Sequence, residues 1–313
     1  MIKNQVISSK KGSSNDLNVI TLQLMKAYSL DCGVNRRGIS SIPSKKEIEK
    51  LIQDLLIVLF PGYLGDLPVA DSDAEEYVKK SVLSFRTRLK KIIEKSVNYG
   101  CKFTEKCMAN IRRVGADEVV DDLLKKIPVI RTQLTGDIFA AFNGDPAAKS
   151  CEEIIGCYPS ILATSIYRVA HELYVNKVPL VPRMMSEYAH SQTGIDINPG
   201  AKIGLNFFID HGTGTVIGET SEIGNNVRIY QGVTIGALSV PAEEVSRMRG
   251  NGKRHPTIED NVTIYSGATI LGGKTIIGRG SVIGGNVWIT SSVPPNTKVT
   301  LASPELRMTN KDV

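Results

Sequence analysis

Residues 195–236 read IDINPGAKIGLNFFIDHGTGTVIGETSEIGNNVRIYQGVTIG, and isoleucine returns in them at a fixed interval. Ile197, Ile203 and Ile209 stand six apart, as do Ile217, Ile223, Ile229 and Ile235. The interval resumes at Ile258 and runs through Ile264, Ile270, Ile276, Val282 and Trp288. Glycine often follows directly, as in Ile203-Gly204 and Ile217-Gly218. Short repeats of this kind mark a solenoid, whose repeats bury their apolar faces only against their neighbours. Three hexapeptides make one triangular coil of a parallel β-helix, with the recurring residue pointing inward. Glycine and asparagine, as in Asn225-Asn226 and Gly285-Asn286, suit corners where φ is positive. The ladder predicts about five coils.

Two breaks interrupt it. The step from Ile209 to Ile217 is eight and holds Asp210-His211-Gly212. The step from Ile235 to Ile258 is twenty-three and ends in Arg254-His255-Pro256. Extra residues must leave the coil, so each break is a candidate site on a rigid scaffold. At the first, His211 reads as a general base, because an imidazole titrates near neutral pH. Asp196 lies almost one coil earlier and can stack beside it to fix its tautomer. The second break expels a protruding loop from Ala237 to Pro256, with Arg247, Arg249, Lys253 and Arg254. Its cations suit a phosphate or a carboxylate.

Upstream the texture is helical. Ser44 and Glu47 have the spacing of a capping box, followed by an apolar stripe at Ile48, Leu51, Ile52, Leu55 and Leu56. Further helical stripes cover Asp73–Cys101, Asp117–Ile127, Ile130–Phe142 and Tyr158–Val175. Residues 1–45 contain one apolar stretch, Val19–Leu30, and otherwise loop-like composition. Asp145, in the turn Phe142–Ala147, reads as a helix cap. His171 and His190 read as structural. The expected fold class is α+β: a mainly α-helical N-terminal domain over 1–190, a β-helix over 191–299 and a tail over 300–313.

The 313 residues are 42% hydrophobic and 22% charged, with a formal net charge of +6. That mild excess suits a small anionic ligand as readily as nucleic acid. The N-terminal residues have no apolar signal core, and Leu51–Leu64 is too short and interrupted to span a bilayer. Neither a membrane nor a nucleic-acid partner is expected. Five cysteines, without a C-x-x-C pair, argue against a disulfide framework or a zinc site and for a reducing cytoplasm.

Three blocks together resemble the serine acetyltransferase family: Ile195–Gly204, Asp210–Thr220 and Arg254-His255-Pro256. The Asp145-Pro146-Ala147 turn and the Tyr167-Arg168 helix match as well, so the resemblance covers residues 130–298. It implies a left-handed β-helix, and a homotrimer with active sites between subunits, in many members a dimer of trimers. It implies acetyl transfer from acetyl-CoA to the hydroxyl of L-serine in a ternary complex, without a metal, in cysteine biosynthesis. His211 would be the base and Asp196 its orienting partner. Asp145 and Asp210 would hold the serine ammonium. Arg254 and His255 of an adjacent subunit would hold its carboxylate, with Glu219 in support. CoA would run past Thr234, Gly236, Ser266, Gly267 and Gly284. The chain departs from the family in its long N-terminal region, its longer arm and its end. The last residue is Val313 where the family has an isoleucine that docks into cysteine synthase, so that partner is doubtful. Transfer to homoserine or a sugar hydroxyl is the competing activity. A non-catalytic β-helix for binding or assembly is the competing class.

Overall fold

The computed structural model describes residues 14–28, 42–63, 73–97, 115–239 and 252–302. Cys32, Cys101, Cys107, the end of the helix expected over Asp73–Cys101, Arg247, Arg249 and Val313 lie outside the described residues. Residues 1–40 and 41–313 form two separate compact units. In the first, α1 (Ser14–Tyr28) covers most of the apolar stretch read from the sequence and exposes Leu17, Ile20 and Leu24.

The second unit begins with α2 (Lys45–Leu59), and the capping box is present. The Ser44 N–H donates to Glu47 Oε2 at 2.9 Å, and the Glu47 N–H donates to Ser44 Oγ at 3.2 Å. Next come α3 (Ala74–Val97), α4 (Ala116–Gly144), α5 (Cys151–Cys157), α6 (Pro159–Val175) and α7 (Val181–Thr193). The two segments expected around Pro128 are one helix, α4. Proline removes one backbone donor. The buried stripe Val120, Leu123, Ile127, Ile130 and Leu134 passes through the defect and keeps the helix continuous. Helix α7, not foreseen from the sequence, ends at Gly194 in the left-handed conformation, φ 70°. The stripes of α2 to α7 meet in one apolar core. Among the described residues, no helix is long and apolar enough to cross a membrane.

Among the described residues, fourteen short strands follow in three parallel sheets. Sheet A holds β1 (Asp196–Ile197), β4 (Val216–Ile217), β7 (Thr234–Gly236), β10 (Thr269–Leu271) and β13 (Trp288–Ile289). Sheet B holds β2 (Lys202–Ile203), β5 (Glu222–Ile223), β8 (Thr257–Ile258) and β11 (Ile276–Ile277). Sheet C holds β3 (Phe208–Asp210), β6 (Arg228–Tyr230), β9 (Thr263–Ile264), β12 (Val282–Ile283) and β14 (Lys298–Val299). The axial pairing Ile197, Ile217, Ile235, Ile270, Ile289 gives coil lengths of 20, 18, 35 and 19 residues by subtraction. The inward isoleucines are almost wholly buried, each contributing about 1.5–3 kcal/mol of transfer free energy. Asn206, Asn226 and Asn261 take positive φ at the B-to-C corner and bond side chain to side chain at 2.8 and 3.1 Å.

One expectation is corrected here. Beyond Ile270 the core residues are Ile277, Ile283 and Ile289, whereas Ile276 is 43% and Trp288 70% exposed. The coil after Ile270 contains one extra residue, taken up at Gly272-Gly273, where Gly272 has φ 102°. A single-residue slip moves every later side chain to the other face, so Ile276, Val282 and Trp288 face outward.

Helices and solenoid are joined by a buried ion pair. Arg168 on α6 donates from Nε and Nη2 to the Asp137 carboxylate of α4 at 2.7 and 2.8 Å, and from Nη2 to Gly204 O at 2.9 Å. The Phe207 N–H donates to Asp137 Oδ1 at 2.8 Å, and Tyr167 Oη donates to Ala201 O at 2.7 Å. Burial pushes the Asp137 carboxyl up, while the guanidinium fork and the amide hold its charged form in place.

Candidate active site

The first break is the corner between sheets C and A. β3 ends in Asp210, and the chain turns through His211 (φ 58°), Gly212 (φ 85°) and Gly214 (φ 80°). A Cβ at Gly212 would meet Ile195 Cδ1 at 2.5 Å, so glycine is required for this turn to sit on the coil. The turn buries Asp210 and leaves the His211 side chain 70% exposed, with Nε2 3.7 Å from Asp210 Oδ1. Asp210 Oδ2 accepts from Arg228 Nη2 at 2.5 Å.

Asp145 closes this corner from the helical side. It is the C-cap of α4, and Ser150, not Asp145, caps α5. Its Oδ1 accepts from the Ala147 N–H at 2.9 Å and its Oδ2 from Tyr158 Oη at 2.5 Å. The Tyr158 bond, then the Ala147 amide, hold the Asp145 carboxyl below its ordinary value. The same bond pushes the Tyr158 phenol up to about 12. Asp145, Asp210 and His211 lie close enough for their charges to be felt at this corner.

Asp196 is on β1, in register with Val216. Among the described residues no hydrogen bond joins it to His211. Its Oδ1 is buried without a hydrogen bond and makes an ion pair with Arg183 Nη1 at 3.7 Å. Ligand atoms of Glu187, His190 and Asp196 lie within 4.8 Å of one another. Arg183, paired with Glu187, supplies the positive charge there that a cation would bring, and no metal is assigned.

The second break leaves from the corner between sheets A and B. Thr220 organises its return. Thr220 Oγ1 accepts from the N–H groups of Arg254 and His255 at 2.8 and 3.0 Å. The Thr220 N–H donates to His255 Nδ1 at 3.1 Å. Nδ1 is thus an acceptor, and the neutral ring carries its proton on Nε2. Burial, then the Arg254 charge, lower the His255 pKa. The ring lies against Gly218, where a Cβ would come within 1.9 Å of His255 Cδ2. Glu219 pairs with Arg254 and accepts from Tyr174 Oη at 2.8 Å, which ties the arm to α6.

The two half-sites stand at opposite edges of sheet A, separated within one chain by roughly 15–20 Å of extended backbone. The corner of His211 continues up the solenoid. Successive coils stack Gln231, Ser266 and Gly285 beside Gly232, Gly267 and Asn286, linked by the bonds Gly267 N–H to Gln231 O and Asn286 N–H to Ser266 O. Ser266, Gly267 and Gly284 lie on this column, and Thr234 and Gly236 lie on sheet A beside it. Coil stacking by itself accounts for two of the glycines. A Cβ at Gly267 would meet Asn286 Oδ1 at 2.2 Å, and one at Gly284 would meet Val299 O at 2.9 Å.

No family model matches the chain. It is 42% identical over 263 residues to a plasmid serine acetyltransferase of Synechococcus elongatus, covering 83% of this chain and 82% of that protein. The chain belongs to the serine acetyltransferase family. Its structure is similar to that of Entamoeba histolytica serine acetyltransferase isoform 3 in complex with cysteine. That match has a TM-score of 0.68 and 34% identity and covers 96% of this chain and 97% of the other. Soybean serine acetyltransferase complexed with serine matches at TM-score 0.52 and 27% identity, covering 80% and 95%. As a serine acetyltransferase, the chain is an acyltransferase with a left-handed β-helix. The sequence reading did not find Arg228, Tyr158, Tyr174 or Thr220. Thr220 lies inside the Asp210–Thr220 block and was the one with a visible signal.

Proposed function

We propose that the chain transfers the acetyl group of acetyl-CoA to the hydroxyl of L-serine, giving O-acetyl-L-serine and CoA for cysteine biosynthesis in the cytoplasm. The observation that carries this reading is the charge layout at the two edges of sheet A. One edge has an exposed imidazole beside two carboxylates, and the other has a guanidinium and an imidazole N–H. A zwitterion with a hydroxyl needs all of these groups, whereas a sugar needs neither charge.

His211 takes the hydroxyl proton, and the serine oxygen attacks the thioester carbonyl. The tetrahedral intermediate then expels the CoA thiolate, which receives the proton from His211. Asp145 and Asp210 receive the ammonium. Arg254, released from Glu219, and His255 Nε2–H receive the carboxylate. Asp196 is the orienting partner of His211, its Oδ1 making no hydrogen bond of its own and only a 3.7 Å ion pair with Arg183. The pantetheine follows the small residues Ser266, Gly267 and Gly284, with Thr234 and Gly236 alongside. Because the half-sites occupy opposite edges, a homotrimer completes each site with Arg254 and His255 from a neighbour.

The test is thiol release from acetyl-CoA with L-serine, L-homoserine or a sugar as acceptor. L-serine is expected to be the best acceptor, and absence of serine-dependent release overturns the reading. Co-expression of His211→Ala with Arg254→Ala tests the shared site. Mixed trimers should regain activity that neither variant has alone, and failure to regain it places both halves in one chain.

A further inference from the structure

Asp210 is 6% exposed, and a buried carboxylate is tolerated only when a charge partner or donors replace its water. Its partner comes from the next coil. Phe208 pairs with Arg228 and Asp210 with Tyr230 across β3 and β6. The Arg228 guanidinium lies 5.2 Å above the Phe208 ring and 4.7 Å above the Tyr230 ring, and Nη2 bonds Asp210 Oδ2 at 2.5 Å. On the far side a Cβ at Gly144 would lie 3.5 Å from Arg228 Nη1, so the turn carrying Asp145 closes over the same group. A planar cation stacked on two rings and aimed at one oxygen has little freedom to reorient.

This arrangement divides the Asp210 carboxylate. Oδ2 belongs to Arg228, and Oδ1 faces His211 Nε2 at 3.7 Å. Two carboxylates and one guanidinium leave the corner a single net negative charge, the complement of one ammonium. On the reading that L-serine is the acceptor, we propose that Arg228 is a positioning residue of the serine site. It holds Asp210 by one oxygen so that the other is presented to the substrate ammonium beside the base. Arg228 touches neither acetyl-CoA nor the reacting atoms, so its effect falls on serine binding and alignment.

The experiment compares steady-state kinetics of the full-length wild type, Arg228→Met and Arg228→Lys, with unfolding midpoints measured in parallel. Arg228→Met should raise the KM for L-serine on the order of ten- to a hundredfold, as expected for a displaced positioning group. The KM for acetyl-CoA should stay unchanged. Arg228→Lys, which keeps the charge, should recover most of the loss. If Arg228→Met does not fold, Arg228→Gln, which keeps a neutral donor, carries the same comparison. An unchanged serine KM, an equal rise in both KM values, or a lysine variant no better than methionine overturns the proposal. A wild type without serine-dependent release overturns the activity itself, whereas an active wild type with indifferent Arg228 variants overturns only the role of Arg228.

Discussion

The two corners of sheet A each present a histidine, and they treat it in opposite ways. His211 projects from a left-handed turn, is largely exposed and stands near the carboxylates of Asp210 and Asp145. His255 is half-buried, fixed through Nδ1 by Thr220 and packed on Gly218. A base that must reach a proton keeps its freedom until substrate arrives. A clamp that must recognise a carboxylate is built beforehand, which reduces the ordering cost of binding. On the proposed function, the difference would separate a group for chemistry from a group for recognition.

The largest test removes the exposed histidine. His211→Ala should lower kcat by about 10²–10⁴-fold, the usual worth of a general base, with the KM for acetyl-CoA retained. Near-normal turnover would erase the distinction between the corners. At the fixed corner, Gly218→Ala should drive His255 from its seat and raise the KM for L-serine by about ten- to a hundredfold. Retention of wild-type KM would show that the seat is unnecessary. Thr220→Val removes the acceptor for two arm amides and should raise the same KM by about tenfold, with kcat less affected than in His211→Ala.

The smallest effect is in stability against pH. Burial lowers the His255 pKa in the folded chain, so the unfolded chain takes up the proton first as pH falls. The stability associated with a neutral His255 is complete above the ordinary value of 6.5, is lost as pH falls below it, and levels off once the folded ring also protonates. Urea midpoints of the wild type and His255→Asn, compared across that range, should converge toward acid pH. Parallel curves would mean that His255 is not held neutral by burial.

How far the sequence could be read follows the range of the forces involved. The six-residue period is local, because each inward isoleucine is set by its own strand. Both histidine breaks were therefore visible, and so was the capping box at Ser44 and Glu47. The slip after Ile270 was hidden because isoleucine occupies both 276 and 277, and a strict period selects the wrong one. The signal was Gly272-Gly273. Arg228 looks like any outward strand residue, and only the axial pairing of β3 with β6 brings it to Asp210. Tyr158 and Tyr174 reach the site from helices, through contacts that no spacing encodes. Pro128 suggested a break in α4 that the continuous apolar stripe overrides.

The extra residue at Gly272-Gly273 has a use beyond shifting the ladder. A Cβ at Gly273 would come within 2.1 Å of the Lys253 carbonyl oxygen, so that notch receives the foot of the arm one coil away. Thr220 grips the same foot from the other side. Arg254 and His255 are thus anchored where the arm ends. A change in the arm's length that leaves this foot intact should therefore leave Arg254 and His255 in place.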